Sequence, residues 1–182
     1  MRLCATFVFA LILAVALAAG RGRAADAQPT EYQLKAAYLY HFAQFVDWPS
    51  TAFSQPNSPL IIGVLGENPF GNDLRHTVEG KVLNHHPLEV REYRSLAGMT
   101  NDCHILFISS SEKERLPEIF TALKGTSVLT VSEVKHFTET GGMINFVLDS
   151  DRIRFQINET TAEKAGLKIS FKLLSLASQV TH

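Results

Sequence analysis

The sequence has 182 residues, a formal charge of −1 and 46% hydrophobic residues. Its 17 basic and 18 acidic side chains form no basic tail or stripe, which argues against a nucleic-acid-binding protein. The length and the hydrophobic content are typical of one globular domain with a substantial core.

The first 27 residues have the pattern of a secretory signal peptide. A basic start at Arg2 precedes the apolar run 3–19, and Ala25-Asp26-Ala27 fits the small-x-small cleavage pattern. We therefore expect cleavage before Gln28 and a mature domain spanning residues 28–182. The alternative is an uncleaved membrane anchor, for which this run has marginal length. No later apolar run is long enough to cross a membrane, so the cleaved protein is not expected to be membrane-embedded.

The first half of the mature chain predicts a helix followed by strands. Thr30 is a predicted N-cap, and apolar residues at helical spacing predict a helix that ends at Trp48-Pro49. The apolar positions of this helix are Leu34, Ala37, Tyr38, Phe42 and Phe45. Continuous apolar runs, typical of strands buried on both faces, occupy residues 60–65, 104–108 and 127–131. Residues 70–78 predict one or two helical turns, and the alternating segment 88–93 predicts a half-buried strand near a sheet edge.

The second half predicts one more helix, a hairpin and a helical tail. Apolar residues at helical spacing predict a helix over 116–123 that Gly125 closes. Segments 142–148 and 153–157 flank a turn at 149–152 and predict a β-hairpin. The tail, 162–180, is helical in pattern with an interruption at Gly166. Together the elements predict a single-domain α/β sandwich with a mixed, mostly parallel sheet and a C-terminal hairpin plus helix.

Polar residues follow two of the predicted buried strands, where ligands gather in open α/β sheets. They form a candidate ligand crevice made of Gly66, Glu67, Ser109, Ser110 and Ser111. The serines also fit helix capping, because Ser111 and Glu114 have the spacing of a capping box. The glycines of a Gly-x-Ser-x-Gly nucleophile elbow and of a phosphate-binding loop are both missing. Capping is therefore favoured over a serine hydrolase, and no catalytic or cofactor-binding residue is assigned.

The histidines and the cysteine give no pattern of a metal or redox site. Solvated loop histidines at His85 and His86 are favoured over a metal site, because no ligand spacing is recognisable. Cys103 is the one cysteine in residues 28–182 and begins an apolar strand. Because free cysteine is among the most buried residue types, we expect a buried, unreactive thiol rather than an intermolecular disulfide.

Several stretches, in order and well spaced, resemble the YfiR/HmsC-like family of periplasmic proteins. They are residues 35–49, from Lys35-Ala36-Ala37-Tyr38 to Trp48-Pro49, then Phe107-Ile108-Ser109-Ser110-Ser111-Glu112, Gly141-Gly142-Met143-Ile144-Asn145-Phe146, Arg154-Phe155-Gln156-Ile157-Asn158 and Ala165-Gly166-Leu167-Lys168-Ile169-Ser170. The resemblance implies a periplasmic regulator rather than an enzyme. Such a protein binds the periplasmic segment of an inner-membrane diguanylate cyclase and represses it, which lowers cyclic di-GMP and restrains biofilm formation. Some family members pair a cysteine at the position of Cys103 with an upstream cysteine, and that partner is missing here.

The expected partner surface consists of aromatic side chains that the first helix cannot all bury. The candidate residues are Tyr40, His41 and Trp48. An alternative function, also suggested by the family, is a small-ligand-sensing periplasmic domain that acts with a membrane sensor kinase. A homodimer is a further expected assembly.

Overall fold

Helices and strands alternate along the chain in the computed structural model, which describes residues 28–98 and 102–182. The helices are α1 (Glu31–Phe45), α2 (Asp73–Val78), α3 (Leu116–Ala122), α4 (Glu159–Lys164) and α5 (Phe171–Leu174). The strands are β1 (Val46–Asp47), β2 (Leu60–Leu65), β3 (Val82–Leu83), β4 (His86–Tyr93), β5 (Cys103–Ile108), β6 (Leu129–Ser132), β7 (Ile144–Asp149), β8 (Arg152–Asn158), β9 (Lys168–Ile169) and β10 (Gln179–Thr181).

One large sheet organises the described part of the chain. Its strand order is β10-β8-β7-β6-β5-β2-β4-β3, and the neighbouring pairs are parallel except β7–β8 and β3–β4. A separate antiparallel pair joins β1 to β9. The predicted α/β fold with a mixed, mostly parallel sheet and a C-terminal hairpin is therefore confirmed. Segment 88–93 falls within β4, next to the short edge strand β3, as expected.

The core lies on both faces of the sheet. Every residue of β2 and β5 is buried, as the continuous apolar runs predicted. Because successive side chains of a strand point to opposite faces, Ile105 and Phe107 join the cluster beneath α1, whereas Leu106 and Ile108 join the cluster beneath α3. The two clusters hold α1 and α3 on opposite sides of the central strands.

Helix α1 begins as predicted but buries a different face. The Thr30 side chain accepts a hydrogen bond from the Gln33 amide and completes a capping box. The helix ends at Phe45, before Trp48-Pro49, because Val46 pairs with Ile169 in the β1–β9 ladder. Its buried residues are Lys35, Ala36, Leu39, Phe42 and Ala43. The predicted face overlaps this set only at Phe42, since α1 is apolar over more than one stripe and periodicity does not select between them.

The predicted C-terminal hairpin and the helix after it are both confirmed, but the helical pattern does not extend over the whole tail. Strands β7 and β8 meet at Ser150 and Asp151, whose φ values of 49° and 60° match a two-residue hairpin turn. The tail instead forms α4, β9, α5 and β10 in succession. Gly166 adopts a φ of +76° just after α4, and β9 and β10 then pair with β1 and β8. Pairing with existing strands thus outweighs the helical pattern of the tail.

Candidate functional site

The predicted ligand crevice lies at the carboxyl ends of β2 and β5, and three of its residues come together. The Glu67 amide donates to Ser111 Oγ at 3.1 Å. Gly66 has a φ of +88°, and a Cβ at this position would lie 2.5 Å from Ser111 Oγ and 2.8 Å from Cγ of Glu112. A glycine is therefore needed where the turn after β2 packs against the turn after β5. Ligand binding at these residues stays a prediction.

Ser109 begins the helical segment that follows β5. It is buried, and its Oγ accepts a hydrogen bond from the Ser111 amide at 3.5 Å. A 3-10 turn over Ser110–Arg115 leads into α3. Helix capping by this serine turn is thus confirmed, but the predicted Ser111–Glu114 capping box is wrong. Ser109 is the cap, because the Ser111 hydroxyl accepts from Glu67 instead.

Ser110 lies elsewhere, at the edge of a cavity of about 360 Å³ that contains a buried lysine. Lys35 is 4% exposed, and its Nζ lies 2.5 Å from Glu31 Oε1 and 2.5 Å from Glu133 Oε2. The Tyr32 hydroxyl donates to Glu133 Oε1 at 3.2 Å. Glu133 follows β6, so this charged cluster joins the first turns of α1 to the carboxyl edge of the sheet.

The electrostatics of the charged cluster keep the lysine protonated. Burial alone would lower the pKa of Lys35, but hydrogen bonds and charge from Glu133 and Glu31 outweigh burial and raise it. Burial, followed by the Glu133 carboxylate, raises the pKa of Tyr32. A lysine nucleophile or a tyrosine base would need a lowered pKa. The cluster is therefore suited to holding α1 in place rather than to covalent or proton-transfer chemistry.

A second cavity, of about 480 Å³, lies at the opposite, amino-terminal edge of the sheet, near the first residues of β2 and β4. The Phe53 ring beside it stacks on His86 at a centroid distance of 3.8 Å and on His104 at 4.4 Å. Two imidazole rings cannot both stack on the same face of a phenyl ring at these distances. Phe53 therefore lies between the His86 and His104 imidazoles. Trp48 also lines the cavity, and its Nε1 donates to the His104 carbonyl oxygen at 3.2 Å.

His104 is the most deeply buried ionisable group beside this cavity. It is 2% exposed, and its Nδ1 accepts a hydrogen bond from the Ile61 amide at 3.2 Å. Burial lowers the pKa of His104 to about 4, with a smaller contribution from His86. The expectation of solvated loop histidines therefore holds for the exposed His85 but is wrong for His86, which is half-buried and bonded to the Ser58 carbonyl at 2.6 Å. Among the described residues, no three metal-ligating side chains converge.

The candidate partner residues do not lie in one environment. Gln44 connects the first two, since it donates to the Tyr40 hydroxyl at 3.1 Å and lies 2.9 Å from Nδ1 of His41. His41 is exposed, and Tyr40 is half-buried. Trp48 lies beyond the helix and lines the aromatic cavity. Tyr40 and His41 remain a predicted surface on α1, whereas Trp48 is held by its hydrogen bond to His104.

Cys103 has the environment that its position predicted. It is 3% exposed, and its Sγ donates to the Ile105 carbonyl at 3.2 Å. Burial raises the pKa of this thiol to about 12, so the reactive thiolate is strongly disfavoured at neutral pH. The prediction of a buried thiol is confirmed.

Comparison with protein families identifies the chain. The model of the YfiR/HmsC-like family matches residues 32–178, which run from the first turn of α1 to the residue before β10. The chain belongs to the YfiR/HmsC-like family. No curated protein matches the sequence significantly.

Membership of the YfiR/HmsC-like family gives the general function. The family is periplasmic and regulatory rather than catalytic, it is known for control of diguanylate cyclases, and it implies a protein partner in the periplasm. Within residues 28–98 and 102–182, no helix is both long enough and apolar enough to cross a membrane. The predicted signal peptide, 1–27, lies outside the residues that the structure describes.

Sequence reasoning missed both the charged cluster and the aromatic cavity. The cluster had one available signal, because Lys35 lies on the otherwise apolar side of α1 that contains Ala36 and Leu39. A lysine in that position needs carboxylate partners. The cavity had no comparable signal, since Phe53 lies in an irregular loop and its stacking on His86 and His104 depends on the tertiary fold.

Proposed function

We propose that this YfiR/HmsC-like protein is a periplasmic repressor of an inner-membrane diguanylate cyclase. It binds the periplasmic module of the cyclase, holds the enzyme in its inactive conformation and thereby lowers cyclic di-GMP. The family match over residues 32–178 carries this proposal. Binding to one conformation with higher affinity is the physical requirement, because only differential affinity shifts a conformational equilibrium.

The proposed contact surface combines the exposed face of α1 with α5. Phe171 is 82% exposed, more than any other large apolar side chain among the described residues. It follows Ser170, whose amide donates to the Phe45 carbonyl at 2.9 Å, so α5 begins beside the C-terminal end of α1. His41 is exposed on the same helix. Aromatic side chains, phenylalanine included, are enriched in the cores of protein interfaces.

The test is a calorimetric titration of the protein with the periplasmic segment of the membrane cyclase from the same host. Saturable binding at micromolar or tighter affinity is expected. Phe171→Ser should weaken binding at least tenfold, as expected for a hot-spot aromatic. Val82→Ser is the matched control, because Val82 is 60% exposed and lies on the edge strand β3 rather than on α1 or α5.

The two parts of the proposal fail separately. A folded protein that does not bind the segment would exclude this cyclase as its partner. Binding that is equally tight in Phe171→Ser and in the wild type would retain the partner but place the contact surface elsewhere. His41→Ala provides a second probe of the surface, since its exposed ring makes little contribution to the core.

A further inference from the structure

The cavity at the amino-terminal edge of the sheet has the size and lining of a small-molecule site. Its volume of about 480 Å³ falls within the roughly 300–1,000 Å³ common for ligand pockets. The buried residues in its lining, Ala43, Val46 and Leu60, are all apolar. An apolar inner surface next to an open rim favours ligands with a compact hydrocarbon body.

The aromatic groups around the cavity are fixed before any ligand arrives. The Trp48 indole is hydrogen-bonded to the His104 carbonyl, and Phe53 is held between two imidazoles. His86 is in turn bonded to the Ser58 carbonyl. Because these rings are already ordered, ligand binding would lose little side-chain entropy.

The charges around the cavity favour a positively charged ligand. Asp47 lines the cavity, and none of the described residues in the lining is a lysine or an arginine. Lys168 lies opposite Asp47 in the β1–β9 ladder, but the two side chains form no ion pair. His104, behind Phe53, is uncharged at neutral pH because burial lowers its pKa to about 4. The Asp47 carboxylate would repel an anionic ligand, whereas it could form an ion pair with a cationic one.

We propose that this cavity binds a small organic cation, an alkylated ammonium group whose alkyl surface lies against Trp48 and whose charge lies beside Asp47. The face of an indole ring attracts cations, and alkylated ammonium groups are the ligands that use this attraction most often. Choline is a suitable probe because it combines a compact trimethylammonium group with a short polar tail.

The chain offers a direct reporter for this site. Trp48 is its single tryptophan, so tryptophan fluorescence, excited selectively over the tyrosines, reports on the wall of the cavity. Choline should change this fluorescence saturably, and calorimetry should give the same affinity. The matched control ligand is 3,3-dimethylbutan-1-ol, which has the shape of choline without its charge. It should bind about tenfold more weakly, a difference of about 1.4 kcal/mol.

Three variants separate charge from shape. Asp47→Asn should weaken choline binding about tenfold and leave the affinity for the neutral alcohol unchanged. Lys168→Gln should tighten choline binding modestly, because it removes a positive charge from the position opposite Asp47 in the β1–β9 ladder. Asp151→Asn, in the exposed turn between β7 and β8, is the control and should bind choline as the wild type does.

Two outcomes would overturn the proposal. Equal affinities for choline and the neutral alcohol would show that the cavity does not select charge. The other is an absence of saturable binding at choline concentrations up to about 1 mM. That result would show that the cavity is not a site for small organic cations. The assay contains no partner protein, so neither outcome bears on repression of a cyclase.

Discussion

Replacing Lys35 by methionine tests whether the charged cluster stabilises the fold. The lysine side chain is 5% exposed and lies between Glu133, which is 18% exposed, and Glu31, which is 52% exposed. Removing one partner of a buried ion pair costs about 3–5 kcal/mol, because the other charge is left uncompensated. Glu31 can turn to solvent, and Glu133 keeps its hydrogen bond from Tyr32. We therefore expect a smaller loss, of about 2 kcal/mol in the free energy of unfolding.

Urea denaturation followed by circular dichroism and by Trp48 fluorescence measures this loss. A loss of 2 kcal/mol corresponds to a decrease in Tm of about 4–8 °C for a domain of this size. Lys172→Met, on the exposed side of α5, is the control and should stay within about 0.5 kcal/mol of the wild type. The double variant Lys35→Met/Glu133→Leu should recover much of the loss, since an apolar pair replaces a buried ionic one at little cost.

Two results would refute this reasoning. One is a Lys35→Met variant as stable as the control, and the other is a double variant less stable than the single one. The pH dependence gives an independent check. Because the pKa of Lys35 is raised in the folded protein, its stabilisation is complete below its ordinary value of 10.5 and is lost as the pH rises through the raised value. Lys35→Met should lack this alkaline loss.

Three further predictions concern the core. Gly142→Ala should lower stability by about 1–3 kcal/mol in urea, because the added Cβ would lie 2.1 Å from Cε1 of the buried Phe137; an unchanged midpoint would contradict the packing. Stability should fall as the pH falls from about 6.5 to about 4, because His104 binds a proton in the unfolded chain that the folded protein excludes. His104→Gln should reduce this dependence of stability on pH, and an equal dependence in the variant and the wild type would contradict the prediction. In residues 28–182, the Cys103 thiol should react with a disulfide reagent only after denaturation, and rapid labelling of the folded protein would be the opposite result.

The sheet was predictable because its central strands carry an unambiguous signal. A run such as 60–65, apolar at every position, is typical of a strand covered on both faces, and β2 and β5 are buried throughout. The hairpin was predictable from its turn residues, since Asp and Ser are common in turns and Asp tolerates the positive φ that Asp151 adopts. In both cases the local sequence and the tertiary environment favour the same structure.

The tail and the sites depend on contacts between distant segments. Residues 168–169 and 179–181 become strands only because β1 and β8 offer them an edge, so the local helical pattern is misleading. Glu133 is 98 residues from Lys35, and no local pattern could pair them. The rule that ligands gather at carboxyl ends of strands directed attention to Ser109–Ser111, whereas the aromatic cavity lies at the amino-terminal edge.

The proposed partner surface and the proposed cation site share one continuous segment of the chain. His41 lies on α1, Asp47 follows in β1, and Trp48 enters the cavity wall. The Phe45 carbonyl between them accepts the amide of Ser170, next to the exposed Phe171. A cation that changed the position of Asp47 would therefore act on the residues that join α1 to α5. If it altered the affinity for the partner by some factor, the partner would alter the affinity for the cation by the same factor, because coupling between two binding sites is reciprocal. The difference between choline affinities with and without the partner would then measure how strongly the cation controls repression.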